Sequence, residues 1–165
     1  MRIDRELKNL LTRLQSKAPV NIVGMAKYLG LSVWESKDLP EGIAGKITRD
    51  PVNGGAANYS ICVRASDSVY RKRFTIAHEL AHYLLHRNLF RTELVDDELY
   101  RSSLSNPIEA QANYLAADLL MPRHLLSPIA NKSVAELASL FEVSERAMNI
   151  RLSSMNTQPE IPVER

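Results

Sequence analysis

The sequence has one cysteine, Cys62, in 165 residues, which rules out an internal disulfide and any zinc site built from several thiolates. A disulfide-stapled secreted scaffold and a zinc finger are therefore excluded, and a reducing compartment, the cytoplasm, is the expected location. Cys62 itself lies in an alternating apolar run, where it reads as a small buried hydrophobe rather than a catalytic thiol. No apolar run approaches the ~20 residues that span a bilayer. The opening Met1-Arg2-Ile3-Asp4-Arg5-Glu6 carries both signs of charge with no apolar stretch behind it, so neither export nor membrane insertion is expected. An excess of one charge is missing too: 21 basic residues face 19 acidic ones, for a net charge of +2. That balance gives no compositional argument for nucleic-acid binding.

What is present is ordinary globular composition, 45% apolar and 24% charged, in a chain long enough to bury roughly two thirds of its unfolded surface. Apolar residues at helical spacing predict a helix from Ile3 to Leu14, stopped by Pro19, and a second from the N-cap Asn21 to Gly30. Three short strands follow, around Leu31 to Trp34, Ile43 to Thr48 and Ala57 to Arg64, separated by Pro40-Glu41-Gly42 and by Asp50-Pro51-Val52-Asn53-Gly54-Gly55. Turns this short favour antiparallel pairing. A long helix is expected from Ser66 to His86, then a polar, acidic loop to Ser105. Asn106-Pro107-Ile108-Glu109 opens the next helix as N-cap, Pro at N1 and Glu at N3, running to Met121 before Pro122. Two helices close the chain, opening at Ser133 and Ser144. The expectation is one α+β domain over 1–156 with a three-stranded, mainly antiparallel sheet, followed by a flexible tail at 157–165.

The chemistry concentrates in His78-Glu79-Leu80-Ala81-His82. Residues four apart share a helix face, so His78 and His82 can each direct a nitrogen to one ion. Zinc binds imidazole nitrogen at ~2.0–2.1 Å in a tetrahedral shell, and a catalytic site keeps one position for water. Glu79 is then placed to take a proton from that water. The bland alternative, three polar residues facing solvent, sits poorly with the apolar flanks Phe74-Thr75-Ile76-Ala77 and Tyr83-Leu84-Leu85, which would bury the helix and leave the polar groups in need of partners.

A third protein ligand is required, and the candidates are His86, Glu93, Asp96, Asp97, Glu98, Glu109, Asp118 and His124. Glu109 is the best placed, on an Ala-rich amphipathic helix able to pack closely against the motif, although a Glu at N3 also serves a purely local cap. Asn113, one turn later, could hydrogen-bond a ligand histidine and fix its tautomer. His86 continues the row beyond the metal and reads as a supporting or core residue before a ligand. Tyr59, Tyr83 and Tyr114 read as core aromatics.

The blocks Arg71-Lys72-Arg73-Phe74-Thr75-Ile76-Ala77-His78-Glu79-Leu80-Ala81-His82 and Glu109-Ala110-Gln111-Ala112-Asn113-Tyr114-Leu115-Ala116-Ala117-Asp118-Leu119-Leu120-Met121-Pro122 resemble the ImmA/IrrE family of metallopeptidases, over roughly Asn21 to Leu152. One departure is Ala81, where many members carry Gly. The resemblance implies a small zincin-like, gluzincin-type domain in which His78, His82 and Glu109 bind one Zn²⁺ and Glu79 activates water. It further implies a protein substrate, a helix-turn-helix repressor of the Xre or cI type, whose cleavage relieves repression. His and carboxylate ligands also accept Mn²⁺ or Fe²⁺.

Two other readings stand beside the enzyme. The C-terminal pair, Val134 to Phe141 and Ser144 to Leu152, has the short junction of a helix-turn-helix, which would suit a DNA-binding regulator with a structural metal. A helical hairpin packed on the core is the better reading, since Arg146, Asn149 and Arg151 are few contacts for a recognition helix, and direct DNA binding is not expected. The other is a metal-containing partner of a repressor, as in a toxin–antitoxin pair, that binds without cleaving.

Overall fold

The computed structural model describes residues 4–87 and 106–157. The predicted acidic loop, with Glu93, Asp96, Asp97 and Glu98, and the tail after Thr157 lie outside the described residues. The first helix, α1 (Arg5–Leu14), is capped by Asp4, whose side chain accepts from the Leu7 amide at 2.8 Å. The second, α2 (Ile22–Tyr28), is capped by Asn21, whose side chain accepts from Gly24 at 2.9 Å. Both caps satisfy amides that a helix start leaves without partners.

Strands β1 (Ser32–Ser36), β2 (Gly45–Arg49) and β3 (Tyr59–Arg64) form a mixed sheet in the order β1-β3-β2. The pair β2–β3 is antiparallel, as the Asp50–Gly55 turn predicts, whereas β1 runs parallel to β3. The reason lies in how that turn is held. Asp50 accepts from the Asn53 amide at 2.8 Å and from the Ser60 hydroxyl at 2.7 Å. The far side of the turn is clasped to the start of β1: the Ala57 amide donates to the Gly30 carbonyl at 2.9 Å, and the Ser32 hydroxyl donates to the Asn53 carbonyl. Gly30 itself sits at φ +87°, a left-handed conformation suited to glycine. These contacts bring β1 to β3 instead of to β2. The outer flank of β2 is thereby left as the sheet edge.

Helix α3 (Val69–His86) is capped by Ser68 and lies against the sheet. Its buried residues Ala77, Leu80 and Ala81 have no exposure. Helix α4 (Asn106–Leu120) packs along α3 and places Ala112, Leu115, Ala116 and Leu119 in the same core. Small side chains on both helices allow a close approach. A short helix α5 (Arg123–Leu126) and a 3₁₀ turn (Ser127–Ile129), neither predicted, lead to α6 (Val134–Phe141) and α7 (Glu145–Thr157). Ser133 and Glu136 form a reciprocal cap at the start of α6, and α7 continues five residues beyond the expected end at Leu152.

Two arginines tie these parts together. Arg73 on α3 donates to the carbonyls of Val20, Phe141 and Glu142 at 3.0, 3.3 and 3.1 Å. Arg151 on α7 is 2% exposed; it pairs with Asp118 of α4 and donates to the Met121 carbonyl at 2.9 Å.

The approach of α3 to the sheet depends on Gly45, where a Cβ would stand 2.4 Å from Thr75 Cγ2 and 2.8 Å from the Cys62 carbonyl oxygen. Thr75 precedes the histidine motif by one turn. Gly45→Ala is therefore expected to lower stability by about 1–3 kcal/mol, measured by urea unfolding. An unchanged midpoint would show that the helix can shift without cost.

Candidate metal centre

Helical spacing places His78 and His82 on one face of α3, with ring centroids 4.6 Å apart. Their Nε2 atoms face each other at 3.0 Å. The carboxylate of Glu109, from the first turn of α4, meets both: Oε1 lies 3.2 Å from His82 Nε2, and Oε2 lies 3.4 Å from His78 Nε2. Three ligand atoms from two helices thus converge, and this is the group of described residues able to hold a metal ion. Donors ~2.0–2.1 Å from a common ion in a tetrahedron stand ~3.3 Å apart, so the observed separations leave room for an ion with a shift of a few tenths of an ångström.

The other ring nitrogens are engaged as a metal site requires. His78 Nδ1 lies 3.0 Å from Asn113 Oδ1. An amide oxygen only accepts, so His78 donates from Nδ1 and its Nε2 keeps a lone pair for the cluster. His82 Nδ1 lies 3.1 Å from His86 Nδ1, and His86 Nε2 lies 3.3 Å from Gln111 Oε1. The donor set therefore fits a cation in the convergence of its three ligand atoms and in the direction of the His78 hydrogen bond.

Glu79, 3% exposed, lines the same pocket as the three converging residues. The pocket holds about 320 Å³ and is walled on one side by Gly42 to Gly45, leading into the edge strand β2, and by Phe74 and Thr75. Arg64 fixes this wall by donating to the carbonyls of Pro40 and Ile43. Ala44, Phe74 and Thr75 also border a larger groove of about 1300 Å³ that runs between α4 and α7, past Tyr114 and Ile150.

The remaining candidates among the described residues lie elsewhere. Asp118 is occupied by Arg151. His124 Nε2 meets the Gln15 carbonyl at 2.9 Å and holds α5 to the end of α1. Tyr59 and Tyr83 pack edge to face at 5.2 Å. Burial pushes the Cys62 thiol above its ordinary pKa, so it is a protonated side chain of the sheet at neutral pH. No pattern in the sequence pointed to Gln111; it lies on α4 between Glu109 and Asn113 and reaches His86 across the helix interface.

Comparison with known proteins identifies the family. The Peptidase_M78 family model, described as the IrrE N-terminal-like domain, matches residues 26–153. The chain belongs to this family. The radiation response metalloprotease IrrE of Deinococcus deserti is similar, 33% identical over 97 residues, which are 55% of this chain and 34% of that protein. The metallopeptidase ImmA of Bacillus subtilis is 26% identical over 99 residues, 58% of this chain and 57% of that protein. The matched stretch thus spans about a third of one relative and just over half of the other. A solved Mycobacterium tuberculosis transcriptional regulator shares the fold, with a TM-score of 0.61 at 16% identity over 92% of this chain and 46% of that one. The chain is thus a metallopeptidase-family domain whose His-His-Glu cluster could hold a metal ion. Among the described residues, no helix is long and apolar enough to cross a membrane.

Proposed function

We propose that this M78-family domain is a zinc-dependent endopeptidase of the cytoplasm, with His78, His82 and Glu109 as the metal ligands and Glu79 as the general base. The observation that carries the reading is the placement of Glu79, buried in the same pocket as three converging donors and one residue from the first of them. Two imidazoles and a carboxylate form a donor set typical of catalytic zinc, although manganese and iron accept the same atoms. When bound, zinc supplies Lewis acidity, which acidifies water and polarises a carbonyl.

The protein's own groups do the rest. Glu79 accepts a proton from the attacking water and delivers it to the amine released as the peptide bond breaks, so that one water is consumed per bond. Asn113 holds His78 in the tautomer that presents Nε2. The edge strand β2 borders the pocket, and an extended substrate segment can add to its outer flank by backbone hydrogen bonding. The adjoining groove accommodates the apolar side chains of a protein substrate on one side of the scissile bond.

The substrate we infer is a helix-turn-helix repressor of the Xre or cI type, an assignment supported by the family resemblance. The alternative of a DNA-reading C-terminal pair loses support from Arg151: of the three side chains considered for contact, this one is buried against Asp118. The test is repressor cleavage followed on a gel after dialysis against a chelator. Cleavage is expected to stop and to return on adding zinc; cleavage that persists without metal would refute the assignment.

A further inference from the structure

Beyond the ligands, one polar chain crosses from the buried His82 and His86 of α3 to the partly buried Gln111 of α4, a residue with no role so far. His86 is 6% exposed, and its ring is tilted 51° to that of His82 with centroids 5.3 Å apart. Its two nitrogens face different partners: Nδ1 meets His82 Nδ1 at 3.1 Å, and Nε2 meets Gln111 Oε1 at 3.3 Å. Where no ion comes between them, two imidazole nitrogens at this distance share one proton, so one donates and the other accepts. The direction in which this chain runs decides which nitrogen of His82 keeps a lone pair.

We propose that His86 and Gln111 are positioning residues that set the tautomer of His82 through a two-step hydrogen-bond relay. This rests on the metal reading above. Gln111 Oε1 accepts from His86 Nε2–H, which leaves His86 Nδ1 as an acceptor. His82 then donates from Nδ1, and its Nε2 lone pair points at Glu109 and His78. With the chain reversed, His82 would carry its proton on Nε2, where a metal needs the lone pair. His78 obtains the same result in one step, from Asn113. Both outer partners, Gln111 and Asn113, come from α4, the helix that also supplies Glu109. A single helix thus brings one ligand and orients the other two.

The relay predicts an effect on zinc affinity that follows acceptor capacity at position 111. Gln111→Glu keeps an acceptor for His86 Nε2–H and is expected to bind zinc at least as tightly as the wild type. Gln111→Met, neutral and of similar size, removes the acceptor and is expected to weaken zinc binding by about 10–100-fold, measured by competition with a chromophoric chelator. Gln111 lines the open groove, so these replacements do not have to fit a sealed core. Two-bond ¹H–¹⁵N spectra of the histidine rings supply a second readout, independent of activity. They are expected to show His86 protonated on Nε2 in both the metal-free and the zinc-loaded wild type. Wild-type zinc affinity in Gln111→Met, or a proton on His86 Nδ1 in either state, would overturn the relay. If the wild type takes up no zinc, the metal reading fails, and the His86 tautomer in the metal-free protein still decides the relay separately.

Discussion

Glu79→Gln is expected to cut peptide hydrolysis by about 10²–10⁴-fold, the range lost with a general base, while leaving zinc content at the wild-type level. The amide is nearly the same size as the carboxylate and fits the same buried pocket, so the fold should be unaffected. It cannot accept the proton of the attacking water at neutral pH, and the loss should fall on kcat more than on KM, because the group acts on the transition state. Comparing kcat, KM and zinc content of the two proteins checks this. A variant that holds zinc and still cleaves at the wild-type rate would remove Glu79 from the mechanism.

Glu109→Ala carries the second large effect. Here the expectation is loss of zinc rather than loss of a step. The Glu109 carboxylate reaches both histidines from another helix. Without it the site keeps two imidazoles on one face of α3, fewer protein donors than the three of a catalytic zinc site. The purified variant should contain far less than one zinc per chain by elemental analysis, against about one in the wild type. It should remain folded, because the carboxylate is 38% exposed and its helix is held by Leu115, Ala116 and Leu119 further along. Retention of a full equivalent of zinc would mean that another group completes the shell, and the assignment of Glu109 would have to be withdrawn.

Much of this arrangement is legible in the sequence because it depends on local periodicity. The spacing of His78 and His82 fixes their common face on any helix, and the apolar residues around them declare which helix it is. Glu109 is harder, since a Glu at N3 serves a cap equally well; only the packing of α4 on α3 shows its carboxylate turned towards the histidines. The pairing of β1 was not legible. It is set by contacts between Gly30 or Ser32 and residues more than twenty positions later, and turn length alone favours the antiparallel choice.

Charge pairing shows the same limit. Asp118 is a possible metal ligand and Arg151 a possible DNA contact when each is read along the chain, yet the fold gives them to each other. Gln111 was invisible for a related reason: its proposed role depends on a hydrogen-bond chain through His86 across a helix interface, and no periodicity encodes that. The C-terminal pair was read correctly as a hairpin packed on the core, because Met148 and Arg151 face inward.

Hydrolysis of a peptide bond in a repressor, as proposed for this site, leaves products of defined mass. Intact-mass spectrometry of an Xre-type repressor, incubated with the zinc-loaded protein and in parallel with Glu79→Gln, tests it most directly. The expected result is two fragments whose masses sum to that of the repressor plus one water with the wild type, and an intact repressor with the variant. A repressor left whole by a zinc-loaded wild type that binds it would contradict the claim and leave a metal-containing binding partner in place of an enzyme.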